Sequence, residues 1–322
     1  MIVVTGEALI DLVPQPGSER PGSERPGPEG PEPEQSGSAG ALAALTPKRG
    51  GGPYNTAVAL GRLGERTAFL SRVSRDAFGE ELLTGLRAAG VDVSYVQRGA
   101  EPTALAVASV GPDGSAGYSF YVDGTADRLF AAPAQLPYDT RAVSFGTCSL
   151  VLEPGASAYE EVLHRTHARG LCTALDPNIR PGLIPDPAAY RARFHSWLAS
   201  TTLVKLSDDD SRWLGGDPAS WLGQGPSAVV VTRGAAGLTA FTRAGEVTVP
   251  GVPVDVADTI GAGDTVNAAL LHRLSAHDAL DAASMTALSE AQWRDILSFA
   301  ARAAAVTVSR AGAEPPYAHE LG

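Results

Sequence analysis

Short apolar runs punctuate the chain at Ile2 to Val4, Ala142 to Phe145, Cys172 to Leu175, Thr202 to Val204 and Ala228 to Val231. Between them lie segments whose apolar residues recur every three or four positions. Such alternation predicts a mostly parallel sheet covered by helices, with the short runs as central strands. One helix is punctuated at both ends: Asp76 caps it, Phe78, Leu82 and Leu86 share a face, and Gly90 stands where the chain must leave. A second follows Gly50-Gly51-Gly52-Pro53-Tyr54-Asn55, with Val58 and Leu63 on its buried face and Gly64 as its stop.

Two stretches break this rhythm. Thr103 to Val110 and Ser115 to Val122 read as strands joined by Gly-Pro-Asp-Gly, a hairpin set outside the main sheet as a flap. Its Tyr118, Phe120 and Tyr121 are either core residues or ligand contacts. Between Pro14 and Pro47 the composition turns to Pro, Gly, Ser and Glu, with Pro-Gly-Ser-Glu-Arg at 16–20 repeated at 21–25. Residues 15–47 therefore read as a flexible low-complexity insertion, too poor in apolar side chains to order themselves.

A length of 322 residues suits one large α/β domain with a small appendage. No apolar run is long enough to span a bilayer and no leader follows Met1, so the expected location is the cytoplasm. The two cysteines, Cys148 and Cys172, are too few for a disulfide framework or a zinc cluster. A net charge of -11 argues against a nucleic-acid partner, since that partner needs a basic surface. His164 and His167 lie three apart on a helical stretch with no third ligand in view, which reads as a solvated face.

The stretch richest in chemistry is Asp258-Thr259-Ile260-Gly261-Ala262-Gly263-Asp264, followed by Val266, Leu270 and Leu274 at helical spacing. The glycines lie in a turn that opens a helix. Free N–H groups there, aided by the helix dipole, stabilise negative charge on a transferring phosphoryl group. A carboxylate beside such an anion hole is poorly suited to binding phosphate and well suited to taking a hydroxyl proton. An ordinary helix start, with Asp264 facing the dipole, is the alternative. The chain lacks a P-loop, since its only lysines are Lys48 and Lys205, and Val266 stands where a dinucleotide fingerprint needs a third glycine. Asn55 offers a donor and an acceptor for a sugar hydroxyl, or else caps its helix.

Five segments occur here in the order seen in the ribokinase-like (PfkB) carbohydrate kinases. They are Gly6-Glu7-Ala8-Leu9-Ile10-Asp11-Leu12, the Asn55 segment, Asp176-Pro177-Asn178-Ile179-Arg180, Thr232-x-Gly234-x-x-Gly237 and the Gly261–Asp264 turn. The resemblance covers nearly the whole chain and is nearest to bacterial fructokinases. It implies a doubly wound α/β fold with a β-rich lid built from segments near 8–14 and 92–123. It further implies an ATP-dependent kinase that phosphorylates a small sugar, with Asp264 as base and Gly261, Ala262 and Gly263 as anion hole.

By the same resemblance, Asp11, Gly50, Gly51 and Asn55 hold sugar hydroxyls, and Tyr121, Asn178 and Arg180 complete the substrate set. Thr232, Gly234 and Gly237 lie along the nucleotide, with Lys205 and Asp210 near its triphosphate. Asp210 serves magnesium through water, Asp258 fits a potassium position found in some members, and pairing of lids implies a homodimer.

The chain departs from the family pattern at three points. Ser207 and Asp210 stand where Asn and Glu are common, Val122 follows Phe120-Tyr121 where fructokinases often carry Arg, and Pro316 replaces a polar position near the potassium site. Alternatives to fructose are ribose, a keto-deoxy sugar acid or a nucleoside. A sugar- or nucleotide-binding regulator without turnover is a further alternative, which the presence of Asp264 disfavours.

Loop length alters closure entropy only weakly. Removing most of Pro16 to Ala44 is therefore expected to leave the fold intact, with a melting temperature within a few degrees of the parent by calorimetry. A larger fall would show that the segment packs.

Overall fold

The computed structural model describes residues 1–14, 44–110 and 116–322. The Gly-Pro-Asp-Gly turn and residues 15–43 of the expected insertion lie outside the described residues. Among the described residues, an eight-stranded sheet runs Gly245–Val249, Leu238–Thr242, Ala228–Thr232, Leu203–Ser207, Cys172–Asp176, Ala142–Gly146, Ile2–Thr5 and Thr67–Leu70. The last six of these are parallel, and Leu238–Thr242 runs antiparallel to both of its neighbours.

Side chains alternate across each strand, so the sheet feeds two cores. Ile2 and Val4 pack with the helices Gly52–Arg62, Ala262–Ala276 and Glu290–Val308, whereas Val3 packs on the opposite face with Tyr159, Phe194 and Trp197. Helices thus cover both faces, as the apolar runs predicted. Among the described residues no helix is long and apolar enough to cross a membrane.

A second sheet has four described strands in the order Leu45–Gly50, Leu9–Pro14, Leu105–Val110 and Ala116–Tyr121. It holds the expected hairpin, but differs from expectation in two respects. Residues 45–47, read as insertion, pair antiparallel with Leu12, Val13 and Pro14. Pro47 sits in an exposed edge strand, a place where a missing N–H is tolerated, so composition alone misled. Gln97–Gly99, within the expected lid stretch, instead pairs in parallel with Arg72–Ser74.

The Ala77–Ala88 helix is capped as expected: Asp76 accepts from Gly79 N at 2.7 Å. Leu82 and Leu86 are buried, but Phe78 is 37% exposed in the first turn, where the helix face has not yet reached the core. Asp76 also accepts from the backbone N and the Oγ1 of Thr103, tying this helix to the segment leading into the lid.

Replacing Asp76 with alanine removes the cap together with the Thr103 bonds. A loss of about 1–2 kcal/mol is expected in urea unfolding, growing if the Thr103 groups stay buried and unpaired. A change within a few tenths would show that water replaces the carboxylate.

Candidate active site

Loops leaving the carboxyl ends of the parallel strands converge on one side of the sheet, the usual place for a ligand in open α/β folds. Thr5 leads to Glu7, Gly146 to Thr147, Asp176 to Asn178, and Thr232 to Gly234. The four-stranded sheet closes over this edge.

Two cavities meet there. One, of about 380 Å³, is lined by Asp11, Gly51, Tyr118, Asn178, Arg180 and Asp264, among others. The other, of about 430 Å³, is lined by Thr232, Gly234, Gly237, Val254, Ala305 and Val308 among others, and is largely apolar. Thr259 and Gly263 line both. The first cavity therefore suits a small polar molecule and the second a flat base, with the start of the Ala262–Ala276 helix between them.

Gly261 caps that helix in the left-handed region, φ 76°, where its missing Cβ clears Ala313. Ala262 N donates to Thr259 O at 3.3 Å. The N–H groups of Gly263 and Asp264 follow in the first turn, where a helix has no carbonyl of its own to offer them. Ala262 lines the apolar cavity and not the polar one, whereas Gly263 lines both.

Asp264 is buried, and Asn55 Nδ2 donates to its Oδ2 at 2.8 Å. Burial pushes its carboxyl up to about 7; the Asn55 bond, Lys205 and Arg180 oppose the rise, while Asp176 adds to it. Its Oδ1 lies 3.2 Å from where a Cβ would stand on Gly52, another residue of the polar cavity's wall that also lies against Thr147 and Asn178. A Cβ there would crowd the Thr147 methyl at 2.6 Å and leave Asp264 Oδ1 a tight 3.2 Å.

The other expected residues divide into those that meet the cavities and those that do not. Asp11 enters the polar cavity, lifted to about 6 by burial and eased by Arg180. Arg180 Nη1 donates to Asn178 Oδ1 at 2.8 Å. Gly50 lies under Asp11, whose carboxylate oxygen is 2.0 Å from where a Cβ would stand. Tyr121 is absent from the wall and 62% exposed, because strand alternation turns Tyr118 and Phe120 inward and Tyr121 outward. Asn55 is not the cap of its helix, which is Gly51, and it lines a separate cavity of about 470 Å³ instead of the polar one.

Lys205 is buried beneath the turn in an ion pair with Asp176 Oδ2 at 2.8 Å, its Nζ 2.9 Å from where a Cβ would stand on Gly263. Asp210 closes a capping box with Ser207 and accepts from Ile179 N at 2.8 Å. Both its oxygens are thus taken by protein donors, and it does not fit as a direct metal ligand. Asp258 likewise accepts from Ile260 N and Gly312 N, joining two loops beside the turn. Far from this site, His164 bonds Ser200 Oγ and His167 is exposed.

Several wall residues carried no sequence signal. Thr147 and Cys148 arrive by chain reversal after Gly146, and Thr147 holds φ 59°. Glu7, inside the first quoted motif, accepts from the hydroxyls of Thr147 and Ser149 and shapes that loop. A buried acid ringed by hydroxyl donors leaves no periodic trace.

The pfkB family carbohydrate kinase profile matches residues 1–320. A fructokinase of Rhizobium leguminosarum bv. trifolii is 38% identical over 304 residues, which make up 92% of this chain and 86% of that one. The fructokinase of Xylella fastidiosa solved with bound ATP superposes with a TM-score of 0.85 at 28% identity, covering 99% of this chain and 96% of that one. The aminoimidazole riboside kinase of Salmonella enterica, solved with its riboside and an ATP analog, has a TM-score of 0.79 at 23% identity, a likeness of fold. A polar and an apolar cavity joined at a helix start, in a chain matched almost from end to end, place it in the pfkB family of carbohydrate kinases.

Proposed function

We propose that the chain transfers the γ-phosphoryl group of ATP to a hydroxyl of fructose, with Asp264 as the base. The observation that carries this reading is the position of Asp264 in the wall of the polar cavity, at a helix start whose Gly263 lines the apolar cavity as well. The sugar hydroxyl gives its proton to Asp264 Oδ1 as its oxygen bonds to the γ-phosphorus. The bond from that phosphorus to the bridging oxygen breaks, and ADP leaves with the electron pair. First-turn N–H groups and the Lys205 ammonium hold the charge that spreads over the phosphoryl oxygens.

The Rhizobium and Xylella fructokinases support fructose as the acceptor. The cavity wall supports a neutral sugar over a sugar acid, since Glu7, Asp11 and Asp264 present carboxyl groups against the single guanidinium of Arg180 among the described lining residues. Val122 is buried within the lid, so no charged contact comes from that position. A divalent ion, magnesium in this reading, accompanies the triphosphate and keeps its waters rather than a bond to Asp210. Asp258 supports a potassium ion only through its backbone surroundings, its carboxylate being engaged.

A sugar panel with coupled ADP detection is expected to give the highest kcat/KM with fructose; a preference for ribose, a nucleoside or a sugar acid would reassign the substrate. Asp11→Ala is expected to raise the sugar KM roughly ten- to a hundredfold through lost hydroxyl bonding, with ATP binding unchanged. An unaltered sugar KM would remove Asp11 from the sugar site.

Asp264→Asn separates a base from a structural acid. Turnover is expected to fall by about 10²–10⁴-fold while the nucleotide Kd holds, and near-parental kcat would sink the mechanism. The folded carboxyl titrates near 7 against an ordinary value of 3.8, so the native state binds the proton more tightly than the unfolded chain. Ionising it therefore costs stability, nothing below about pH 4 and most above about pH 7. Asp264→Asn removes that cost, and its melting temperature relative to the parent is expected to rise between those limits. A difference that does not change with pH would show that the carboxyl is not perturbed.

A further inference from the structure

The apolar cavity offers a bound base almost no side chain that could form a hydrogen bond with it. Its walls include Val252, Val254 and Val256, every second residue of a loop, and Ala301, Ala305 and Val308, which share one face of the Glu290–Val308 helix. Among the described lining residues the polar side chains are the hydroxyls of Thr232 and Thr259, with no charged, amide or imidazole group beside them. Thr232 Oγ1 is directed to Leu206 O at 3.5 Å. Thr259 lines the polar cavity as well, which puts it at the phosphoryl end.

We propose that the chain takes purine nucleoside triphosphates as a class, GTP and ITP as well as ATP, because this cavity recognises an apolar ring face and not a hydrogen-bonding edge. The proposal rests on the reading of the apolar cavity as the place of the nucleotide base. Adenine, guanine and hypoxanthine share one fused ring system and differ in the donors and acceptors along its edge. A site rejects an analogue strongly only when it buries polar groups that the analogue leaves unpaired. The side chains at the base end offer none. Backbone groups of residues 252–256 remain, but that whole stretch is exposed, with Val254 38% and Val256 62% accessible. Water replaces a base there at little cost, and the edge of any purine can keep its hydration. The phosphoryl step is unaltered: the sugar oxygen bonds to the γ-phosphorus, and GDP or IDP leaves in place of ADP with the electron pair of the broken bond.

The test is kcat/KM for ATP, GTP and ITP with magnesium and the best acceptor of the sugar panel, following the sugar phosphate directly so that no coupling enzyme's own base preference enters. One solvated hydrogen bond changes affinity by about tenfold at most, so GTP and ITP are expected within about tenfold of ATP. A wider gap for either would reveal a group that reads the base edge, and overturns the proposal. UTP, whose single ring covers less of the wall, is expected below all three purines. Parity of UTP with ATP would show that the wall does not hold the base, which overturns it too. Turnover with no sugar at all would sink the kinase reading alone, since calorimetric Kd values for ADP, GDP and IDP need no acceptor and decide the proposal by the same tenfold limit. In Val254→Ala, on the exposed stretch, all three diphosphates are expected to weaken together by about threefold. An unchanged Kd would place the base elsewhere and overturns the proposal.

Discussion

Burying the Asp264 carboxylate in the first turn of the Ala262–Ala276 helix requires partners that hold it without neutralising it. Full pairing with a cation would drive its proton affinity down and leave a weak base, while burial alone would keep it protonated and inert. The site lies between these limits. Lys205, the nearest buried cation, is already paired with Asp176, so its field reaches Asp264 much reduced. The remaining support comes from the amide of Asn55 and the free N–H groups of the turn. The outcome is a carboxyl near 7, suited to taking a proton at neutral pH.

That arrangement dictates where the surrounding elements go. A helix must begin where the two cavities join, which needs a residue in the left-handed region at Gly261 and no side chain at Gly263 above Lys205. The Gly52–Arg62 helix lies alongside and delivers Asn55 to Asp264, and a Cβ at Gly52 would press on the Thr147 side chain in the cavity wall. The parallel sheet makes this feasible by releasing its loops at one edge. Asp176 and Lys205 then rise from neighbouring strands directly beneath the turn.

The strand-helix alternation of the core was readable because each element is buried along a regular stripe or face. Val266, Leu270 and Leu274 fall on one face, and Ile2 and Val4 part from Val3. The Gly261–Asp264 turn was readable for the same local reason, as a glycine-rich helix start. What escaped depends on contacts distant in sequence. Asn55 and Asp264 are 209 positions apart, so composition near Asn55 can suggest a cap or a sugar ligand but not a bond to Asp264. Tyr121 was misplaced by one step of strand alternation. Pro47 was assigned to a loop because its neighbours in sequence, not its partner Leu12, carried the signal. The partners of Asp210, Ser207 three residues back and Ile179 on another loop, are likewise split between a local capping box and a distant contact.

The acids around the polar cavity show how binding and stability are coupled. Glu7 is fully answered within the protein by Thr147 and Ser149 and so can stay rigid whether or not a ligand is present. Among the described residues Asp11 has no hydrogen-bond donor of its own, and Asp264 has one donor for two oxygens. Both are held above the ordinary carboxylate range by burial, which destabilises the fold at neutral pH. Hydroxyl groups of a neutral sugar are the donors these two acids lack, and a ligand that supplies them relieves part of the cost of burying charge. A ligand whose hydroxyls reach both would therefore tie the four-stranded sheet, which carries Asp11, to the helix that carries Asp264 on the larger sheet.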